Sequence, residues 1–544
     1  MRQSARTAGL ALFGLLALTA QAAEPEPWWR GTVFYEIFVR SFADSTTGPL
    51  AEDGDGDLQG LIEHLDYLND GDPSTADDLE VGGLWLMPIM PSPSYHGYDV
   101  TDYRAVEEDY GTREDFRRLV AEAHRRGIRV IVDLVINHTS RRHPWFRDAY
   151  RRSSPYHDWY LWSDVPRGYR GPWGQEVWHQ LPWWQRGFRH FNYRAYYGIF
   201  WAGMPDLNLG NAGATAAIFD AARFWLEEMG VDGFRLDAVR HLIEDGPVQV
   251  DTAATHDWLR RFAAFVRNLA PEAFLVGEAW ADTATVATYG PDQVDLAFQF
   301  DLAAAIVAAV RDGDGRALAA EADLVWASFP PGRFATFLTN HDQARVFSEL
   351  DRDLDRAKLA ATLLLTLPGV PFLYYGEEIG MTGFKPDPEI RTPMQWTPDK
   401  YAGFSRHRPW QRVNLGFRET NVETLGSDPA SLLSHYRRLM RLRNRRPALA
   451  TGGYGAVAGG PPQVFAFLRR CPGETLLVVS NLGGEPVADY ALAPDLLPSA
   501  SEEPRELLHG NPVRRPGERP GEGYRPIDEL AGRTAYVIAL EEEG

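Results

Sequence analysis

The stretch Gly233-Phe-Arg-Leu-Asp-Ala-Val-Arg-His241 decides the architecture. With Val231 before it, the run to Leu236 reads as a short buried strand. Arg235 and Asp237 are two residues apart and so fall on one side of that strand, at its C-terminal end. Three other segments are built the same way: Asp133-Leu-Val-Ile-Asn-His138 after Ile128–Val135, Gly277-Glu-Ala-Trp280 after Ala273–Val276, and Thr339-Asn-His-Asp342 after Phe334–Leu338. Chemistry-bearing groups at the C-terminal ends of successive strands are the signature of a parallel barrel enzyme.

Working outward, eight strands are predicted: 33–39, 83–88, 128–135, 231–237, 274–277, 294–298, 335–339 and 370–374. Amphipathic stretches such as Arg113–Arg126 and Ala216–Met229 lie between them. Eight βα units close a (β/α)8 TIM barrel. Between His138 and Ala212 no helix is evident, and Trp, Tyr, Gly and Pro abound. A structureless loop of that length is implausible, so a small domain is predicted there, over the barrel mouth. After about Arg446 the pattern becomes short alternating strands, predicting a C-terminal antiparallel β-sandwich, with 499–523 as a surface loop. The expected division is a signal peptide (1–22), barrel (23–138), inserted domain (139–211), barrel (212–445) and sandwich (446–544).

A chain of 544 residues is long enough for several domains. Its net charge of −20 argues against nucleic acid as a partner. The 17 Trp exceed what is usual, and flat rings stack on the apolar faces of sugars. Arg2 and Arg6, the apolar run Leu10–Ala20 and Ala20-Gln-Ala22 form a secretory signal, too short to span a bilayer. Ala23 is the predicted mature start. No later segment is apolar enough to anchor the chain, and Cys471, the single cysteine, precludes an intrachain disulfide. An exported, soluble monomer is expected.

The strand-end carboxylates suit glycoside hydrolysis, which needs one carboxyl to attack the anomeric carbon and a second to protonate the departing oxygen. Asp237 fits the nucleophile, with Arg235 expected to favour its charged form. Glu278, next to Ala279 and Trp280, fits the acid, its pKa raised by apolar surroundings. Asp342, beside His341, fits a stabiliser of the oxocarbenium-like transition state. Asp53-Gly-Asp55-Gly-Asp57 offers oxygen ligands to a hard cation, although Leu58 and His64 rule out an EF-hand.

These segments, in this order, resemble glycoside hydrolase family 13, the α-amylase family. The resemblance implies Asp237 as nucleophile, Glu278 as acid/base and Asp342 as stabiliser. Tyr98 is implied as the aromatic under the sugar, with Arg235, His138 and His341 around it. Asp99 and Arg345 resemble a pair that grips a non-reducing glucose end in exo-acting relatives. Arg240 and His241 resemble the pair that meets the glucose on the leaving side. Met204-Pro-Asp-Leu-Asn208, Asn69–Asp78 and Arg391-Thr-Pro-Met-Gln-Trp396 resemble a subfamily intermediate between oligo-1,6-glucosidases and neopullulanases. Ala238, where oligo-1,6-glucosidases carry Val, leans toward α-1,4 linkages. The family's calcium loop would be supplied by Asp44, Asp53, Asp55 and Asp57. A second calcium site is implied at Asn137 and the His241 carbonyl. The reading is thus a calcium-stabilised, retaining, α-amylase-type hydrolase of α-1,4-glucans or maltooligosaccharides. An exo-acting α-glucosidase or transglycosylating relative is the first alternative, and a non-catalytic glucan-binding homologue the second.

Overall fold

The computed structural model describes residues 26–165, 167–181, 195–493, 503–516 and 523–542. The proposed signal segment lies outside them. Eight strands form one parallel sheet: β1 (Phe34–Ile37), β2 (Gly83–Leu86), β3 (Arg129–Leu134), β7 (Gly233–Leu236), β8 (Phe274–Gly277), β9 (Leu296–Ala297), β10 (Ala335–Thr336) and β11 (Val370–Tyr374). Their order is β10-β11-β1-β2-β3-β7-β8-β9. A parallel bridge between Phe298 and Ala335 joins the ends and closes the barrel. Every predicted barrel strand is present.

The two-residue period of these strands sorts their side chains into layers. Phe34, Trp85, Ile131, Phe274, Val276, Phe298, Phe337 and Phe372 fill the barrel as an apolar plug. Phe34 stacks on Phe372 at 4.5 Å and on Phe274 at 5.2 Å. Burying each such ring stabilises the fold by roughly 1.5–3 kcal/mol. Two residues further along their strands, Glu36, Asp133 and Arg235 point the same way and are also buried. A Cβ on Gly233 would lie 2.0 Å from the Phe274 carbonyl oxygen, so only glycine lets β7 approach β8 there.

The amphipathic stretches are helices. Arg113–Arg125 starts with a capping box between Thr112 and Asp115, which satisfies otherwise free N–H groups. Ala212–Arg223 continues into a π-helical turn, Phe224–Glu228. The 138–212 interval does contain a helix, Pro144–Ala149, with Pro at its start and His143 as its cap. At six residues it is too short for helical periodicity to show. The interval also holds a three-stranded antiparallel sheet of β4 (Trp162–Ser163), β5 (Trp178–Gln180) and β6 (Ala195–Tyr197).

The C-terminal region is a five-stranded antiparallel sheet: β12 (Gly453–Val457), β13 (Val464–Cys471), β14 (Glu474–Asn481), β16 (Thr534–Glu542) and β15 (Arg505–Glu506), in that order. One face, with Phe465, Phe467, Leu476, Val478 and Val537, joins the barrel's core. The other is covered by Val487, Tyr490, Leu492, Tyr524, Ile527 and Leu530. Among the described residues this covering layer pairs only through the bridges Val487–Leu530 and Leu492–Tyr524. The expected C-terminal antiparallel sheet is thus present, with this layer packed over its outer face. Pro486 and Pro526 remove ladder donors within the covering layer. The predicted surface loop contributes β15 to the sheet edge. No helix among the described residues is long and apolar enough to cross a membrane.

Candidate active site

Arg235 organises the site. Its Nη1 donates to both oxygens of Asp133 at 2.9 Å and to Asp237 Oδ1 at 2.7 Å. Its Nη2 lies 3.0 Å from Glu278 Oε2. The guanidinium rests over Trp85, 5.1 Å from the ring centroid. One planar fork thus holds three carboxyls, from the ends of three consecutive strands, in fixed positions. Asp237 and Glu278 are both held by the one guanidinium.

The third carboxylate arrives from the other side. Asp342 Oδ2 is 3.2 Å from His341 Nε2, and Asp342 Oδ1 accepts from Arg391 at 2.8 Å. His341 Nε2 also meets the Tyr98 hydroxyl at 2.7 Å, while its Nδ1 bonds Glu36 Oε1 at 2.5 Å. Tyr98 donates to Asp133 at 3.0 Å. His138 is fixed by the Tyr98 carbonyl and the Asn137 side chain.

Burial and charge oppose one another here. Burial raises Asp237, and the Arg235 charge only limits the rise, with Asp342 adding to it. Arg235 favours the charged form, as expected, while desolvation of the buried carboxyl works against it. Burial also raises Glu278, as expected of an acid, with Arg235 opposing and Asp237 and Asp342 adding. Its apolar cover is not Trp280, however. That ring is 51% exposed and stacks on Phe300 at 4.5 Å. For Asp342, burial is overridden by the charge and hydrogen bond of His341 and by Arg391, which hold it well below the usual carboxylate range. Burial would lower His341, but Asp342 and Glu36 push it up to about 10. Burial lowers His138 and His241 to about 4 each, so both are neutral at pH 7.

Immediately past Asp237, Ala238 adopts a left-handed conformation (φ 51°, ψ 40°) and opens the 3-10 turn Val239–His241. Its N–H donates to Glu278 Oε2 at 3.0 Å. The turn carries Arg240 and His241 to the cleft wall. Arg240 is clamped by Asp251 at 2.5 and 2.9 Å and by the Trp280 carbonyl at 2.5 Å. His241 packs against Trp173 and Phe200. The cleft has a volume of about 460 Å³, and its wall includes Tyr98, His138, Asp237, Glu278 and Asp342 with Trp173, Trp201 and Trp280.

The Asp99–Arg345 pair does not form. Asp99 is buried and accepts from Ser92, Ser94 and Ser140. Arg345 lies between the rings of Tyr374 and Tyr375 and donates to the carbonyls of Tyr375 and Ile390. Arg345 precedes the helix beginning at Val346 and does not line the cleft. Arg391, with Asp387, takes the place beside Asp342 instead. Glu36, Asp133, Asp387 and Arg391 are site residues that sequence reasoning did not single out. For two of them a signal existed: Glu36 and Asp133 are charges inside apolar strands.

The metal-ligand candidates divide. In the first loop Asp44 accepts from the N–H groups of Glu52 and Gly54, Asp55 pairs with Arg40 at 2.7 Å, and Asp57 caps the helix Leu58–Glu63. Asp53 bonds the Asp55 N–H. These carboxylates face different partners and do not converge, so they do not fit a calcium ion as they stand. No group of three or more His, Cys, Asp or Glu suited to a metal occurs among the described residues. The second candidate differs because its oxygens come partly from other groups. Asn137 Nδ2 donates to the His241 carbonyl at 2.6 Å, which brings the two groups together. Asp206, inside the Met204–Asn208 segment, is buried with its carboxyl against Asn137 and Glu244. Hard oxygens of this kind fit calcium.

A family model described as the alpha amylase catalytic domain matches residues 36–452. Alpha-amylase 3 of Dictyoglomus thermophilum is 39% identical over 465 residues, covering 84% of this chain and 86% of that protein. A trehalose synthase of Pimelobacter sp. is 35% identical, covering 92% of this chain and 94% of that protein. The crystal structure of an alpha-amylase from H. orenii superposes with a TM-score of 0.80 at 39% identity, covering 94% of this chain and 100% of that one. The strand-end carboxylates and the closed barrel agree with these likenesses: the chain belongs to the α-amylase family of glycosidases, glycoside hydrolase family 13.

Proposed function

We propose that this glycosidase cleaves internal α-1,4-glucosidic bonds of starch-like glucans or maltooligosaccharides with net retention. Asp237 attacks the anomeric carbon while Glu278 protonates the departing oxygen, and Glu278 then takes a proton from the water that releases the sugar. Asp342, kept ionised by His341 and Arg391, stabilises the positive charge on the ring. One observation carries the internal mode. On the side where Glu278 must release the leaving sugar, Arg240 and His241 line an open wall with Trp173 and Trp280, exposed by 62% and 51%. That wall suits further glucose units. The decisive experiment offers a maltooligosaccharide blocked at its non-reducing end. Cleavage at a rate similar to the free substrate supports the reading, and cleavage of the free substrate alone, one glucose at a time, replaces it with exo-action.

A second reading is favoured by the same wall, which would also hold a sugar acceptor. Several relatives are described as trehalose synthases. Glucosyl transfer to a sugar hydroxyl would then compete with transfer to water, and a product time course separates the two.

Calcium is proposed as a structural ion held by Asn137, Asp206, Glu244 and the His241 carbonyl, tying the inserted region to the turn after Asp237. Export as a monomer completes the proposal and rests on the N-terminal sequence and composition.

A further inference from the structure

A second cavity of about 590 Å³ lies beside the active site, across the segment 383–392. It is bounded by residues 347–352, which follow β10, and by residues 380–420, which follow β11. The residues of the shared segment divide between the two cavities. Asp387 and Arg391 face the catalytic cleft, while Phe384, Lys385, Glu389 and Thr392 face the second cavity.

The lining is rich in neutral hydrogen-bonding groups: Ser348, Thr382, Thr392, Gln395, Asn414 and Thr420. Gln395 is 1% exposed, and its side-chain carbonyl oxygen is buried with no hydrogen-bond partner. An unsatisfied buried acceptor of this kind is costly unless something donates to it. At the rim, Phe384 is 54% exposed and Leu415 97% exposed. Three of the charged groups are already in ion pairs, Lys385 with Asp387 and Arg412 with Glu389. Neutral donors and acceptors, a buried free carbonyl oxygen and an exposed flat ring describe a binder of an uncharged polyhydroxyl compound. A hydroxyl can donate to Gln395, and the apolar face of a pyranose can lie on Phe384.

We infer that this cavity is a second saccharide-binding site, separate from the catalytic cleft, that takes a segment of α-glucan. The choice of α-glucan rests on the functional reading above. The alternative ligand is an inorganic anion, since Arg352 at the cavity edge has no ion pair among those described.

The test uses the full chain. Binding is read by retardation in native gels containing soluble starch, in the Asp237→Asn background so that the glucan is not consumed. Turnover of a short aryl maltoside is read separately, with Asp237 intact. Phe384→Ala should weaken starch retardation about tenfold, and Asn414→Ala should weaken it as well. Turnover of the aryl maltoside and the melting temperature should stay unchanged for Phe384→Ala. Unaltered retardation in both variants overturns the proposal. So does parallel loss of retardation and aryl maltoside turnover, because the cavity would then be part of the catalytic cleft. Inorganic phosphate that binds the parent, with loss on Arg352→Ala and no effect of either variant on starch retardation, assigns the cavity to an anion instead. If the enzyme acts on no α-glucan while gel retardation persists and depends on Phe384, the functional reading fails and the saccharide site stands.

Discussion

His341 Nδ1 donates to Glu36 Oε1 at 2.5 Å across 305 residues of sequence. The bond joins the first barrel strand to the segment after the seventh, at the depth where the apolar plug gives way to charge. His341 therefore sits between two carboxylates, Glu36 below and Asp342 above.

This arrangement predicts a specific pH dependence. Burial would lower His341, but Asp342 and Glu36 outweigh it and raise the imidazole to about 10, against an unfolded value of about 6.5. A group whose folded pKa is raised contributes stability fully below its unfolded pKa and loses it as pH rises through the folded one. Part of the stability should thus fade between about pH 6.5 and 10. Glu36→Gln should narrow that window by lowering the His341 pKa, measurable by NMR titration of the ring and by melting curves across pH. A His341 titration unmoved by Glu36→Gln would remove the pair from the account.

Asp237→Asn and Glu278→Gln should each lose several orders of magnitude in turnover while remaining folded. The two should respond differently to the leaving group. An aryl glycoside with an acidic phenol needs little protonation, so Glu278→Gln should keep far more activity on it than on maltooligosaccharides. Asp237→Asn should lose both alike. Equal losses on both substrates in Glu278→Gln would reverse or void the assignment of the acid.

Chelator should lower the melting temperature, and added calcium should restore it. A ligand at 100 times its Kd stabilises by about 2.7 kcal/mol. Because Asp206 gathers Asn137 and Glu244 around one buried carboxyl and the Asp53–Asp57 loop is internally satisfied, Asp206→Asn should abolish the chelator effect and Asp53→Asn should leave it intact. The opposite pattern would move the ion to the first loop.

The barrel was legible because its strands are continuous apolar runs, and a fully buried strand has little else it can be. Asp237, Glu278 and Asp342 were legible because chemistry in this fold ends strands. Glu36 and Asp133 escaped although they lie within strands; the rest of what escaped lay in the loops. Arg345 is three residues past Asp342 in sequence, yet it packs on the rings of Tyr374 and Tyr375. Arg391 lies 49 residues past Asp342 and reaches it only because the segment after β11 folds back. No local periodicity records such a return. The helix Pro144–Ala149 escaped for a related reason: it is shorter than the pattern used to find it.

The last prediction concerns the turn after the nucleophile. Ala238 holds φ 51° and ψ 40°, a region that costs an L-residue roughly 1–2 kcal/mol and a β-branched one more. Two things depend on that turn: the N–H bonded to Glu278 Oε2, and the delivery of Arg240 and His241 to the leaving-side wall. Ala238→Val should therefore lower the melting temperature and disturb cleavage of long chains, whereas Ala238→Gly should be tolerated. His241→Ala separates the wall from the turn. It removes a ring packed on Trp173 and Phe200 without changing the Ala238 backbone. It should raise KM or lower kcat on long maltooligosaccharides more than on an aryl glucoside, whose leaving group has no sugar to bind. If His241→Ala slows both substrates by the same factor, the wall does not hold the leaving chain, and the argument for internal cleavage loses its support.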